Sequence, residues 1–153
     1  MEIYKNEQHQ IYFGDVFEGL NLIADESIDL IFADPPYNIG KDFNGRKDKW
    51  KDEESYLNWC YEWLELCLRK LKPNGSFYVM TATQFMPYFD IFLRNKIDIL
   101  SRIVWYNDGS SVQAKKYFGS TYEPILFGVK KKKEYTFNAK DIMVEAKTGS
   151  KRK

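Results

Sequence analysis

The sequence predicts an α/β fold built on a largely parallel sheet, and three observations carry that prediction. Short apolar runs alternate with helically spaced segments across most of the chain. The run Ile28–Ala33 is nearly all apolar, as expected of a strand covered on both faces of a parallel sheet. A long amphipathic stripe, Glu53–Leu71, separates that run from the next one.

Taken in order, Ile11–Gly14 is a short strand-like run closed by Asp15, and Val16–Ala24 has helical spacing until Asp25-Glu26-Ser27 breaks it. In Glu53–Leu71 the residues Tyr56, Cys60, Trp63, Leu64, Cys67 and Leu71 recur at three- and four-residue steps, and Lys72-Pro73-Asn74-Gly75 is a stop signal. Both cysteines belong to this stripe, which makes them core residues rather than a metal hook. Ser76–Met80 repeats the buried-strand pattern. Gln84–Asn95 reads as a helix with Pro87 in its first turns, and Leu100–Tyr106 and Pro124–Val129 as strands. Residues 38–52 and 107–121 are longer, rich in Gly, Ser, Asn, Asp and Lys, and of a length usually functional or mobile. Each follows a strand, so both are expected to border the crevice beyond the carboxyl ends of the sheet.

Composition narrows the function classes. The chain has 153 residues, 44% hydrophobic and 29% charged, which suits one domain burying roughly 70% of its unfolded surface. No apolar run reaches the ~18–20 residues of a bilayer span, and Met1–Gln10 is polar, so a soluble cytoplasmic protein is expected. One histidine, His9, and two cysteines supply no zinc set and no obvious histidine base, which removes most hydrolase chemistry. The net charge of +1 hides an asymmetry: residues 1–100 carry −6 and residues 101–153 carry +7. That points to a polyanion-facing half, or else to a solvated turn at Lys130–Lys133 and a frayed tail at Lys151–Lys153. Aromatics, at 17%, are abundant: most are expected in the core, and a surplus of flat side chains also suits a protein that stacks on bases.

The tetrapeptide Asp34-Pro35-Pro36-Tyr37 follows the buried strand directly. It reads either as a rigid loop or as a site for an exocyclic amine on a planar ring. In the second reading the Asp34 carboxylate takes one N–H and the Pro35 carbonyl the other, leaving the nitrogen lone pair aimed at an electrophile. Consecutive prolines fix the backbone so that both acceptors are held in place. Tyr37 stacks on the base after it leaves the duplex, a contact worth ~1–3 kcal/mol.

The tetrapeptide resembles motif IV of the amino-methyltransferases that use S-adenosylmethionine, with Asp first as in the adenine-N6 enzymes. The stretches LIFADPPYNIGKDF (Leu30–Phe43), SRIVWYNDGSSVQAKKYFGSTYEPILFGV (Ser101–Val129) and VEAKTGS (Val144–Ser150) are similar to the N-terminal half of the β-group DNA adenine methyltransferases, the orphan type in particular. The resemblance implies a partial Rossmann-like methyltransferase fold, S-adenosyl-L-methionine as cofactor, double-stranded DNA as substrate and N6 of adenine as acceptor. It makes Asp34, Pro35, Pro36 and Tyr37 the catalytic residues, with Asp34 also bordering the cofactor. It aligns Gly14-Asp15 with an early pair whose acid approaches the cofactor adenosine; a cap at the strand end is the competing role for Asp15. The segment from Lys115, Lys116, Tyr117 and Phe118 to Pro124 resembles the target-base motif, lysines meeting phosphate and one of Tyr117, Phe118 and Tyr122 lining the base pocket.

The β group places target recognition and then a Gly-rich cofactor loop after the catalytic motif, and none of the nine glycines here are spaced G-x-G. The expectation is therefore one partial domain over 1–153 with a basic tail at 147–153. Ile11–Gly14 is expected to lack sheet neighbours, and the remaining strands to expose a long edge. The chain is expected to be truncated, or to be half of a split enzyme with a separately encoded C-terminal half. A binding remnant that retains nucleic-acid affinity without catalysis is the remaining alternative. No membrane and no metal enter any of these readings.

Overall fold

The computed structural model describes residues 2–107, 116 and 119–144. The elements are β1 (Glu2–Lys5), β2 (Gln10–Phe13), α1 (Val16–Asn21), β3 (Ile28–Ala33), β4 (Asp42–Phe43), β5 (Arg46–Lys47), α2 (Glu53–Lys70), β6 (Leu71–Met80), α3 (Met86–Arg94), β7 (Asp98–Tyr106) and β8 (Tyr122–Val129), followed by a 3₁₀ turn at Ala139–Ile142.

The main sheet has four strands in the order β3-β6-β8-β7. β3, β6 and β7 run in one direction, β3–β6 being the directly paired parallel strands, and β8 alone is reversed, antiparallel to both β6 and β7. The sheet is thus mixed: three of its four strands share one direction, as the sequence led one to expect, and β8 is the exception. The reason lies in the connections. α3 carries the chain from β6 across to β7 and leaves one strand-width open between them. β8, the next strand after β7, fills that slot antiparallel to both of its neighbours. This puts the ends of β3 and β7 and the start of β8 at one rim of the sheet.

α2 is the structural keel. Asp52 caps it by accepting from Ser55 N at 2.8 Å, Glu53 and Glu54 sit in its first turn, and Arg69 and Lys70 in its last, each favourable to the helix dipole. Its stripe of Tyr56, Cys60, Trp63, Leu64 and Cys67 is buried against Phe77 and Val79 of β6, Phe89 and Leu93 of α3 and Leu126 of β8. Burial pushes both thiols up to about 12, which suits inert core cysteines. The helix passes into β6 without a loop, because Pro73 forces the preceding residue out of helical space. At Gly75 a Cβ would stand 2.7 Å from Leu71 Cδ1 and 3.0 Å from the Asp29 carbonyl oxygen, so only glycine lets β6 approach β3 there.

β1 and β2 form a separate antiparallel hairpin, from Glu2↔Phe13 to Lys5↔Gln10. The expected lone strand at Ile11–Gly14 therefore has a partner, β1, whose polar sequence hid it. The expected exposed edge is present at β3, where Leu30 is 56% and Phe32 55% exposed. On β2, Ile11 and Phe13 are exposed as well.

Candidate active site

Asp34 emerges from the end of β3 at the common rim, and the two prolines carry the chain away from the sheet. Three separate elements hold the tetrapeptide. From α2, the buried Tyr56 hydroxyl donates to the Pro36 carbonyl at 2.7 Å. From the following loop, Asp48 Oδ2 accepts from the backbone N–H groups of Tyr37 at 3.2 Å and Ile39 at 3.5 Å. From β8, Glu123 reaches the Tyr37 hydroxyl, which lies 3.0 Å from Glu123 Oε2 and 2.8 Å from Asp34 Oδ1. Burial first, and then the two carboxylates, hold the Tyr37 phenol far above its ordinary ionisation range, so it remains a hydrogen donor. Pro36 O is thus occupied, whereas no hydrogen bond to the Pro35 carbonyl forms among the described residues.

The segment expected to be functional at 38–52 is a fixed arm. β4 and β5 pair across Asn44-Gly45, whose φ values of 54° and 87° are the positive pair of a two-residue hairpin turn. Asn38 also adopts positive φ, and its Oδ1 accepts from Trp50 N at 3.0 Å, closing the base of the arm. The arm presents Phe43 and Lys41, the ammonium standing 5.1 Å from the ring centre, together with Arg46 and Lys47.

Two clefts meet at the tetrapeptide. One, of about 940 Å³, is lined by Gly14, Asp15, Ile31, Asp34, Trp59 and Trp63. The other, of about 650 Å³, is lined by Tyr37, Phe43, Arg46, Asp48, Trp50 and Glu123. Asp34, Pro35 and Pro36 line both. Each volume lies in the range of small-molecule sites, ample for a purine. Asp15 caps α1, its Oδ1 accepting from Phe17 N at 2.9 Å, and it also lines the larger cleft, so its two expected roles are compatible.

Of the other expected residues, Lys116 is exposed, whereas Lys115, Tyr117 and Phe118 lie outside the described residues, as does the tail at 147–153. Tyr122 begins β8 opposite Tyr106 and lines neither cleft; its neighbour Glu123 does. Sequence reasoning passed over Asp48 and Glu123, and saw Tyr56 only as core. Asn44-Gly45 was the available signal for the arm. Glu123 had none, since its role arises from a contact between residues far apart in the chain. Among the described residues no group of His, Cys, Asp and Glu is placed to hold a metal, and no helix is long and apolar enough to cross a membrane.

The sheet, its flanking helices and this rim define part of a methyltransferase fold. Solved structures sharing it include the PvuII cytosine-N4-specific DNA methyltransferase, with a TM-score of 0.62 at 19% identity over 78% of this chain and 48% of that one. The M1.HpyAVI–SAM complex matches with a TM-score of 0.56 at 22% identity over 79% of this chain and 52% of that one. The chain belongs to the DNA methylase family, whose model matches residues 28–153. It is 52% identical over 149 residues to the DNA adenine methyltransferase YhdJ of Escherichia coli, covering 97% of this chain and 50% of the relative. It is 34% identical over 138 residues to the type II methyltransferase M.BamHI of Bacillus amyloliquefaciens, covering 89% of this chain and 32% of the relative. The chain thus spans half or less of the length of these curated relatives.

Proposed function

We propose that this chain carries the catalytic and base-binding half of an S-adenosylmethionine-dependent methyltransferase acting on N6 of adenine in double-stranded DNA. The observation that supports it most is the shared wall: Asp34, Pro35 and Pro36 stand between two clefts of ligand size. An amine in one cleft then faces a donor in the other across the tetrapeptide.

The larger cleft suits the adenosine part of the cofactor. Ile31, Trp59 and Trp63 offer apolar surface, and Asp15, with one oxygen used in capping, keeps the other for a hydroxyl or amine donor. The bound cofactor supplies an electrophilic methyl group on a sulfonium. The chain's own part is to hold the acceptor. Asp34 accepts one N–H of the adenine amine and the Pro35 carbonyl accepts the other, which localises the nitrogen lone pair and directs it across the wall. The Tyr37 ring stacks on the extruded base in the smaller cleft. The basic, aromatic arm, together with Lys115, Lys116, Tyr117 and Phe118, meets the surrounding phosphates and base.

A polypeptide supplying the rest of the fold, separately encoded or continuous with this chain, completes the site. The exposed Leu30 and Phe32 on the open edge of β3 support that partner. The setting is the cytoplasm and nucleoid of a prokaryote or phage host. The test combines this chain with the C-terminal half of the Escherichia coli relative and offers labelled cofactor with duplex DNA, RNA and protein. N6-methyladenine appearing in DNA alone supports the proposal. Salt-sensitive DNA binding without methylation would instead identify a binding remnant.

A further inference from the structure

Tyr37 carries one phenolic hydrogen and meets two carboxylates, at 2.8 Å from Asp34 and 3.0 Å from Glu123. The proposed chemistry needs Asp34 as an acceptor for the amine. A hydrogen donated by Tyr37 to Asp34 Oδ1 withdraws charge from that carboxylate and occupies the oxygen. Moving the hydrogen away would ordinarily leave a half-buried hydroxyl without a partner, a penalised state. Glu123 removes that penalty. Turning the phenolic hydrogen about the C–O bond exchanges one acceptor for the other while the ring stays in place. The backbone of Glu123 is anchored beside the loop. It lies at the start of β8, and the carbonyl of the next residue, Pro124, accepts from Thr81 N at 3.3 Å where β6 ends.

We propose that Glu123 is a positioning residue for methyl transfer: it takes over the Tyr37 hydroxyl so that Asp34 is free to accept the substrate N–H while the stacking ring stays fixed. The inference rests on the function proposed above and adds to it a residue outside the tetrapeptide.

The test is a double-mutant cycle read in single-turnover methyl transfer, with this chain completed by a C-terminal half. Glu123→Ala lowers the rate by on the order of ten- to a hundredfold, as an unpaired donor implies, with DNA affinity retained. Glu123→Gln, whose amide oxygen still accepts the hydroxyl, stays within a few-fold of the original. In a Tyr37→Phe background Glu123→Ala has no further effect, because no hydroxyl remains to be held. An equal loss in both backgrounds, or no loss in the original, overturns the proposal. A second measurement needs no methylation: in the isolated chain with ¹³C-labelled tyrosine, the Tyr37 Cζ resonance shifts on Glu123→Ala. An unmoved resonance also overturns the proposal. Absence of methylation in the unsubstituted protein refutes the proposed function, and the resonance then decides the role of Glu123 alone.

Discussion

Tyr56→Phe isolates the tie between the helical keel and the catalytic loop. The Tyr56 ring is fully buried, with ring centres 4.9 Å from Trp50 and 4.7 Å from Phe85, and phenylalanine preserves that packing. What is lost is one hydrogen bond of 2.7 Å to the Pro36 carbonyl. Pro36 itself is exposed, so water can take the freed carbonyl, and the loss falls in the ordinary range of ~0.5–1.5 kcal/mol. With a urea slope of about 2 kcal/mol/M this moves the midpoint down by roughly 0.5 M. Tryptophan fluorescence reads the transition, since Trp50, Trp59 and Trp63 sit in the same cluster. Tyr56→Ala, which empties the ring site, costs about 3–5 kcal/mol and sets the scale. An unchanged midpoint in Tyr56→Phe would show that the hydroxyl does not hold the loop. A loss matching that of Tyr56→Ala would show that ring packing has been misjudged.

Asp48 is 6% exposed and accepts from two backbone N–H groups, that of Tyr37 within the tetrapeptide and that of Ile39 just beyond it. Asp48→Ala removes the acceptor of both, at ~1–3 kcal/mol for the half-buried Tyr37 and less for the exposed Ile39, whose N–H water can reach. Hydrogen exchange at Tyr37 and Ile39 is expected to quicken at least tenfold while β6 keeps its protection; equal quickening everywhere would contradict a local role. Asp90, on α3, is 3% exposed and paired with Arg94 and Arg102. Burial opposes its charge, but the two guanidiniums outweigh burial and hold its carboxyl below the usual range. A lowered folded value means that its stabilisation is complete above the unfolded pKa of ~3.9 and is lost as pH falls through the folded value. The stability gap between the original chain and Asp90→Asn should therefore be constant above about pH 5 and narrow below about pH 4. A gap independent of pH would sink that assignment.

Much of the fold was readable because it is encoded locally. The stripe of α2 announces a buried helix through spacing alone. The apolar run Ile28–Ala33 formed its strand where expected, but as an edge strand with no fully buried residue rather than one covered on both faces, because the strands that would flank it are not in this sheet. Strand direction is different: it depends on how connections cross the sheet. β1 stayed hidden because a hairpin exposed on all its β1 positions needs no apolar alternation. The tetrapeptide could be found from its residues and its place directly after an apolar strand. Its supports could not, because Tyr56 and Glu123 reach it from 20 and 86 residues away and nothing nearby in sequence distinguishes them.

The central claim is that Asp34 makes the amine reactive, and Asp34→Ala tests it most directly. The measurement is single-turnover methyl transfer to duplex DNA by the completed enzyme, with DNA and cofactor affinities determined in parallel. Removing one preorganised group from a transfer site costs on the order of a hundred- to a thousandfold in rate. A loss of at least that size is predicted, with both affinities within a few-fold of the original. Methylation at the original rate, with Ala at position 34, would contradict it.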